Sequence, residues 1–179
     1  MPDARLTELA REINARCRLQ GSFVLRSGQV ASEYFDKYLF EADPALLRRV
    51  AEQMTTLVPA GTDMLGGLEL GGVPIATMLS QLTGLPTLFV RKQAKAYGTC
   101  KLAEGDDPSG RNVLLVEDVI TTGGAVAAGA GALRELGATV SAVVCAIDRS
   151  EPGDSPLAAH RIAVVPVLTK ADLDAAALS

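Results

Sequence analysis

The sequence predicts an α/β fold: a central, mostly parallel sheet flanked by helices. Stretches such as "NVLLVED", "TVSAVVCAIDR" and "RIAVVPVLT" are almost continuously aliphatic, as strands buried on both faces are. They alternate with segments of helical period, such as "VPIATMLSQL" and "GAVAAGAGALRELG". A chain of 179 residues also suits one domain around one core.

Each element has its own signal. Leu6, Leu9, Ile13 and Cys17 share one face at helical spacing and predict an opening helix. "YFDKYLF" combines aromatic residues with period two, as a strand does. Asp43-Pro44 is a helix start, and Leu46, Leu47, Val50, Ala51 and Met54 supply that helix's buried face. "DMLGGLEL" reads as a strand entering a glycine turn, "VPIATMLSQL" as a helix, and "PTLFVR" and "NVLLVED" as strands. A helix ending at Gly137 follows, then the strands of "TVSAVVCAIDR" and "RIAVVPVLT", and a terminal helix from Lys170 to Leu178. Residues 92–111, "KQAKAYGTCKLAEGDDPSGR", have no apolar period and are expected to form a flexible loop. Loops longer than about 12 to 15 residues are usually functional or disordered. No repeat, linker or second domain is expected, so 1–179 reads as a single domain.

Composition removes several function classes. A net charge of −4 argues against non-specific nucleic-acid binding, which depends on cationic contacts to phosphates. No apolar run approaches the roughly 20 residues that span a bilayer, and no signal-peptide pattern opens the chain, so a cytoplasmic protein without a membrane partner is expected. Cys17, Cys100 and Cys145 are far apart and form no C-x-x-C pair, which indicates neither a zinc site nor a disulfide framework. His160, the one histidine, lies outside every motif.

Chemistry concentrates in "VLLVEDVITTGGAV", where an aliphatic strand runs into Glu117 and Asp118. In open parallel sheets, ligands bind beyond the carboxyl ends of strands, and the pair is expected at such an end. The "TTGGA" that follows offers hydroxyls, backbone N–H groups and the start of a helix, which suits a phosphate. Carboxylates beside a phosphate would repel it, so they suit neutral hydroxyls about one sugar width away. Together these features describe a sugar-phosphate pocket. A helix-capping acidic pair beside a packing glycine turn is the structural alternative. Neither G-x-x-x-x-G-K-[ST] nor G-x-G-x-x-G is present, so NTP hydrolysis and NAD binding recede.

"VLLVEDVITTGGA" resembles the phosphoribosyl pyrophosphate (PRPP) signature of type I phosphoribosyltransferases. "FVLRSGQVASEYFD", "GGLELGGVPIA" and "VRKQAKAYGTCKLAEG" resemble the orotate phosphoribosyltransferases in the same order and spacing, and the similarity covers Phe23 to Arg149. The resemblance implies transfer of phosphoribose from PRPP to orotate in de novo pyrimidine synthesis. It implies a small N-terminal helix and hood in 1–42, a catalytic loop in 92–111, and a homodimer that shares this loop between subunits. Mg2+ would arrive on PRPP oxygens without a direct protein ligand. Glu117 and Asp118 would hold the ribose hydroxyls, while Thr121, Thr122, Gly123, Gly124 and Ala125 wrap the 5'-phosphate and Val119 and Ile120 count with them as PRPP-binding. Arg91, Lys92, Lys95 and Tyr97 would meet the rest of PRPP, with Lys95 joining the acidic pair as catalytic. Glu69, Leu70 and Gly71 would form the pyrophosphate loop, and Arg26, Tyr34, Phe35, Thr121 and Arg149 would receive orotate.

Two positions depart from the family pattern. Tyr97 stands where many members have histidine, and with a reference pKa of about 10 it cannot carry histidine's positive charge. Gly71 stands where several members place a lysine. A phosphoribosyltransferase for another base, such as a purine, and a PRPP-sensing regulator are the competing readings.

Overall fold

The computed structural model describes residues 4–25, 27–93, 102–151 and 156–178. Its first helix, α1 (Ala4–Cys17), buries Leu9, Ile13 and Cys17, as the spacing predicts. Two antiparallel strands follow, β1 (Arg18–Val24) and β2 (Val30–Phe35), which form a separate two-stranded hood. Strand β1 carries no sequence signal, because its register slips between Gln20 and Phe23 and its middle is exposed.

"YFDKYLF" is only partly a strand. Strand β2 stops at Phe35, and Tyr38–Glu41 forms a short helix, α2. Asp36 explains the break, since its Oδ1 accepts the backbone N–H of Tyr38 at 3.1 Å and starts the helical turn. Helix α3 (Pro44–Thr55) begins as its signal requires: Asp43 accepts from the N–H groups of Ala45 and Leu46. Of its predicted apolar face, Leu46, Val50, Ala51 and Met54 are buried, and Leu47 packs against the core from a half-buried position.

The main sheet contains six strands in the order β5-β4-β3-β6-β7-β8. These are β3 (Met64–Leu68), β4 (Thr87–Val90), β5 (Ala103–Glu104), β6 (Val113–Ile120), β7 (Ala142–Asp148) and β8 (Ala163–Thr169). All pair in parallel except β5, which runs antiparallel to β4 at the edge. Strand β5 interrupts the segment expected to be structureless, and its two residues are too few to create a period. The connecting helices are α4 (Gly72–Thr83) and α5 (Gly124–Glu135), and α6 (Lys170–Ala177) closes the described chain against α1.

Two apolar layers sandwich the sheet. Leu114 and Val116 of β6 point into the layer shared with α1, α3 and α4, while Val113 and Leu115 point into the layer shared with α5. The alternation then changes phase: Val119 joins the first layer and Ile120 the second. Glu117 and Asp118 occupy the position of that change. They lie inside β6, with Asp118 two residues before its end, close to the carboxyl end where the sequence places them.

Removing the Asp43 cap should cost about 1 kcal/mol and lower Tm by roughly 2 to 4 °C. Asp43→Ala compared with wild type by thermal melting checks this, and an unchanged Tm would contradict the cap.

Candidate active site

Strand β6 carries its acidic pair into the interior. Asp118 is fully buried and Glu117 is 7% exposed. Ionised carboxylates at such depth require partners. Lys37, in the turn between β2 and α2, places Nζ 2.6 Å from Asp118 Oδ2. Asp118 Oδ1 accepts the N–H of Val119, and Glu117 Oε1 accepts the N–H of Asp118 at 3.0 Å. Glu41 of α2 is a third buried carboxyl group beside Asp118.

Gly71 makes room for this cluster. A Cβ at that position would lie 1.8 Å from Asp118 Oδ2 and 2.7 Å from Glu41 Oε1. Its φ of −67° is open to any residue, so the glycine is there for space and not for conformation. No side chain of any kind fits at residue 71 while Asp118 holds this position.

The neighbours set the charges. Burial, reinforced by the hydrogen bond and repulsion from Asp118, pushes the Glu117 carboxyl up to about 9. Burial and the same neighbour push Glu41 up to about 8. Burial also opposes ionisation of Asp118, but hydrogen bonds from Glu117, Lys37 and Glu41 outweigh it and hold Asp118 below the usual carboxylate value. Lys37 is likewise desolvated, yet its contact with Asp118 leaves its ammonium above the ordinary lysine value. At neutral pH the cluster therefore holds one anion, one cation and two protonated carboxyl groups.

Beyond β6 the chain forms the expected cradle. Gly123 has a φ of 72°, a left-handed conformation that favours glycine, and it turns the chain into α5. Glu117, Thr121, Thr122, Gly124 and Ala125 border a small cleft of about 90 Å³. Backbone N–H groups at the start of α5 face an anion favourably there. Val119 and Ile120 also border this cleft, although both belong to the strand.

Arg149 follows β7 on the same rim, tied to β6 by its N–H donating to the Ile120 carbonyl at 2.8 Å. Its guanidinium lies 5.2 Å from the centre of the Phe35 ring, so the two residues predicted to meet the base do come together. Tyr34 does not join them. Its ring packs 5.5 Å from Phe23 within the hood, because neighbours along a strand face opposite ways. On the other side of the site, Glu69, Arg91 and Lys92 line a cleft of about 250 Å³ that also reaches Ala125. Glu69 Oε2 accepts the Lys92 N–H at 2.9 Å, while Leu70 is exposed. Arg26, Lys95, Tyr97 and Cys100 lie outside the described residues.

Sequence reasoning missed Lys37 and Glu41. Their signal is a carboxylate adjoining the buried Phe40, four residues after a lysine, which becomes visible only once "DKYLFE" is read as helical. Among the described residues, no group of three His, Cys, Asp or Glu side chains is arranged to hold a metal ion. Nor is any described helix long and apolar enough to cross a membrane.

Residues 40–170 match the family model described as phosphoribosyl transferase domain. An orotate phosphoribosyltransferase of Nocardioides sp. is 69% identical over 168 residues, covering 94% of each chain. The Mycobacterium tuberculosis H37Rv orotate phosphoribosyltransferase in complex with inorganic phosphate superposes with a TM-score of 0.84 at 28% identity, covering 96% of this chain and 99% of that one. The same enzyme in complex with PRPP gives a TM-score of 0.78 at 27% identity over 95% and 99% of the two chains.

In the folded chain, Glu41 and Glu117 keep protons that the unfolded chain loses near the ordinary value of 4.5. Their contribution to stability is complete below that value and is lost as pH rises through about 8 and 9. Asp118 has the opposite sign, with stability present above its usual value and lost as pH falls through its depressed one. A Glu41→Gln/Glu117→Gln protein, whose amides need no proton, should lose less Tm than wild type between about pH 5 and about pH 9. Parallel melting curves for the two proteins would contradict the raised values.

Proposed function

The chain belongs to the orotate phosphoribosyltransferase family, and on that premise we propose that it joins orotate to PRPP, giving orotidine 5'-monophosphate and pyrophosphate. The observation that carries this reading is the meeting of Arg149 and Phe35 on the rim of the acidic strand. A planar guanidinium beside an aromatic wall suits a planar base that carries a carboxylate. The purine alternative would leave that guanidinium without a charged partner. The PRPP-sensing alternative gives the base slot no task at all.

The proposed roles rest on the family resemblance and, for the described residues, on their place in the fold. The 5'-phosphate sits in the cradle of Thr121, Thr122, Gly123, Gly124 and Ala125, and the ribose hydroxyls face Glu117 and Asp118. Thr121 stands between phosphate and base. Orotate N1 bonds to ribose C1 while the C1–oxygen bond breaks, pyrophosphate leaves with that electron pair, and the N1 proton passes to an oxygen of the departing pyrophosphate or to water. The ionised Asp118 stabilises positive charge developing on the ribose. Arg91 and Lys92 face the leaving group beside Glu69, Leu70 and Gly71, and Lys95 and Tyr97 of the loop complete that side. Arg26 is assigned to the base. The cluster around Asp118 is already occupied by Lys37, which leaves no protein cage for a divalent ion. Mg2+ is therefore assigned to PRPP oxygens, where it supplies positive charge to the diphosphate.

We read 1–179 as one phosphoribosyltransferase domain, cytoplasmic and homodimeric, with 1–42 as hood and the loop of 92–111 shared between subunits in de novo pyrimidine synthesis. Incubation with PRPP, Mg2+ and a panel of bases, followed by pyrophosphate release, tests the activity. Orotate should be the base consumed, and consumption of a purine in its place would overturn the reading. Arg149→Ala should raise KM for orotate about ten- to a hundredfold, the range for a lost charge-assisted hydrogen bond, with a much smaller effect on KM for PRPP. Equal effects on both substrates would remove Arg149 from the base site.

A further inference from the structure

Two buried oxygens in the cluster require explanation. Asp118 Oδ2 and Glu41 Oε1 crowd the same point above Gly71, and neither accepts a hydrogen bond from a backbone N–H. Two carboxylate oxygens cannot share such a place as bare anions. Lys37 answers one of them, since its ammonium is the cation in contact with Asp118. A proton on Glu41 answers the other. The remaining groups that face this pair are Glu117 on β6, Asp36 in the turn before α2, Tyr38 beneath the ammonium at 5.4 Å, and, further off, Cys145 on β7. Gly71 presents backbone alone.

We propose that Lys37 and Glu41 are positioning residues for the ribose of PRPP, holding Asp118 against Gly71 so that the sugar hydroxyls meet one aimed carboxylate in place of three competing ones. This deepens the reading of the pocket as a PRPP site and rests on it. The hood is thereby coupled to the sugar site, because Lys37 and Glu41 come from the turn and helix that directly follow β2. It also accounts for the missing side chain at residue 71, since Asp118 and Glu41 fill that space and the positive charge beside Asp118 comes from position 37. As pH rises through the Glu41 transition near 8, a second anion appears beside Asp118, and a polyanionic substrate should bind less well.

Titration calorimetry with PRPP and Mg2+, without any base, isolates this step. Lys37→Met should weaken PRPP binding about ten- to a hundredfold, the range for loss of a charge-assisted contact, and Lys37→Arg should recover most of it. In steady-state assays, Lys37→Met should raise KM for PRPP by a larger factor than it lowers kcat. Between about pH 7 and about pH 9, Glu41→Gln should lose less PRPP affinity than wild type, because an amide gains no charge. If Lys37→Met does not fold, Gly71→Ala serves in its place, since the added methyl displaces Asp118 and should produce the same loss. Wild-type affinity in the folded Lys37 or Gly71 variant, or identical pH profiles for wild type and Glu41→Gln, would overturn the proposal. A wild type that binds PRPP but ignores orotate would sink the proposed reaction and leave this inference standing. A wild type that fails to bind PRPP would sink the reading on which both depend.

Discussion

The contact between Lys37 and Asp118 above Gly71 joins the three parts of the molecule that matter. Asp118 comes from the central strand, Lys37 from the turn below the hood, and Gly71 from the start of α4. A buried carboxylate without that ammonium would take a proton or leave the interior. With it, the strand can carry an anion to the place where the two apolar layers end. Glu41 and Glu117 tolerate the same burial by remaining protonated, so only one of three neighbouring carboxyl groups is charged.

The sheet prepares this arrangement. Regular alternation up to Val116 builds the two layers, and the change of phase at Glu117 and Asp118 releases the strand from strict packing just before its end. Gly123 then turns the chain so that the hydroxyls of Thr121 and Thr122 and the first turn of α5 face the same cleft. On the neighbouring strand, Arg149 is fixed to Ile120 by its backbone and to Phe35 by its side chain. The residues proposed for sugar, phosphate and base thus lie side by side along two adjacent strand ends.

Much of this was legible in the sequence, for reasons that can be named. Aliphatic runs and helical periods fixed the parallel strands and their helices, because burial on both faces leaves an unambiguous pattern. "EDVITTGG" pointed to the cleft where β6 meets α5, and the family resemblance put Arg149 and Phe35 at one place, where the structure has them in contact. The hood was not legible: β1 is exposed and irregular in register, and α2 spans a single turn. Lys37 and Glu41 were hidden with it, since their meaning depends on contacts with Asp118 across a long stretch of sequence. The space at Gly71 was equally invisible, because a glycine required by a neighbour's carboxylate looks the same in sequence as one required by a turn. Tyr34 packs against Phe23 and not beside Arg149, as the residue next to Phe35 on a strand faces the other way.

The charge state of the three carboxyl groups is the central claim, and carbon-13 NMR of the side-chain carboxyl carbons in the substrate-free protein tests it directly. Followed across pH, Glu41 and Glu117 should titrate near 8 and 9 while Asp118 stays ionised below the usual carboxylate value. Titration of all three in the ordinary carboxylate range would contradict the account, since the interior would then hold three anions against one lysine.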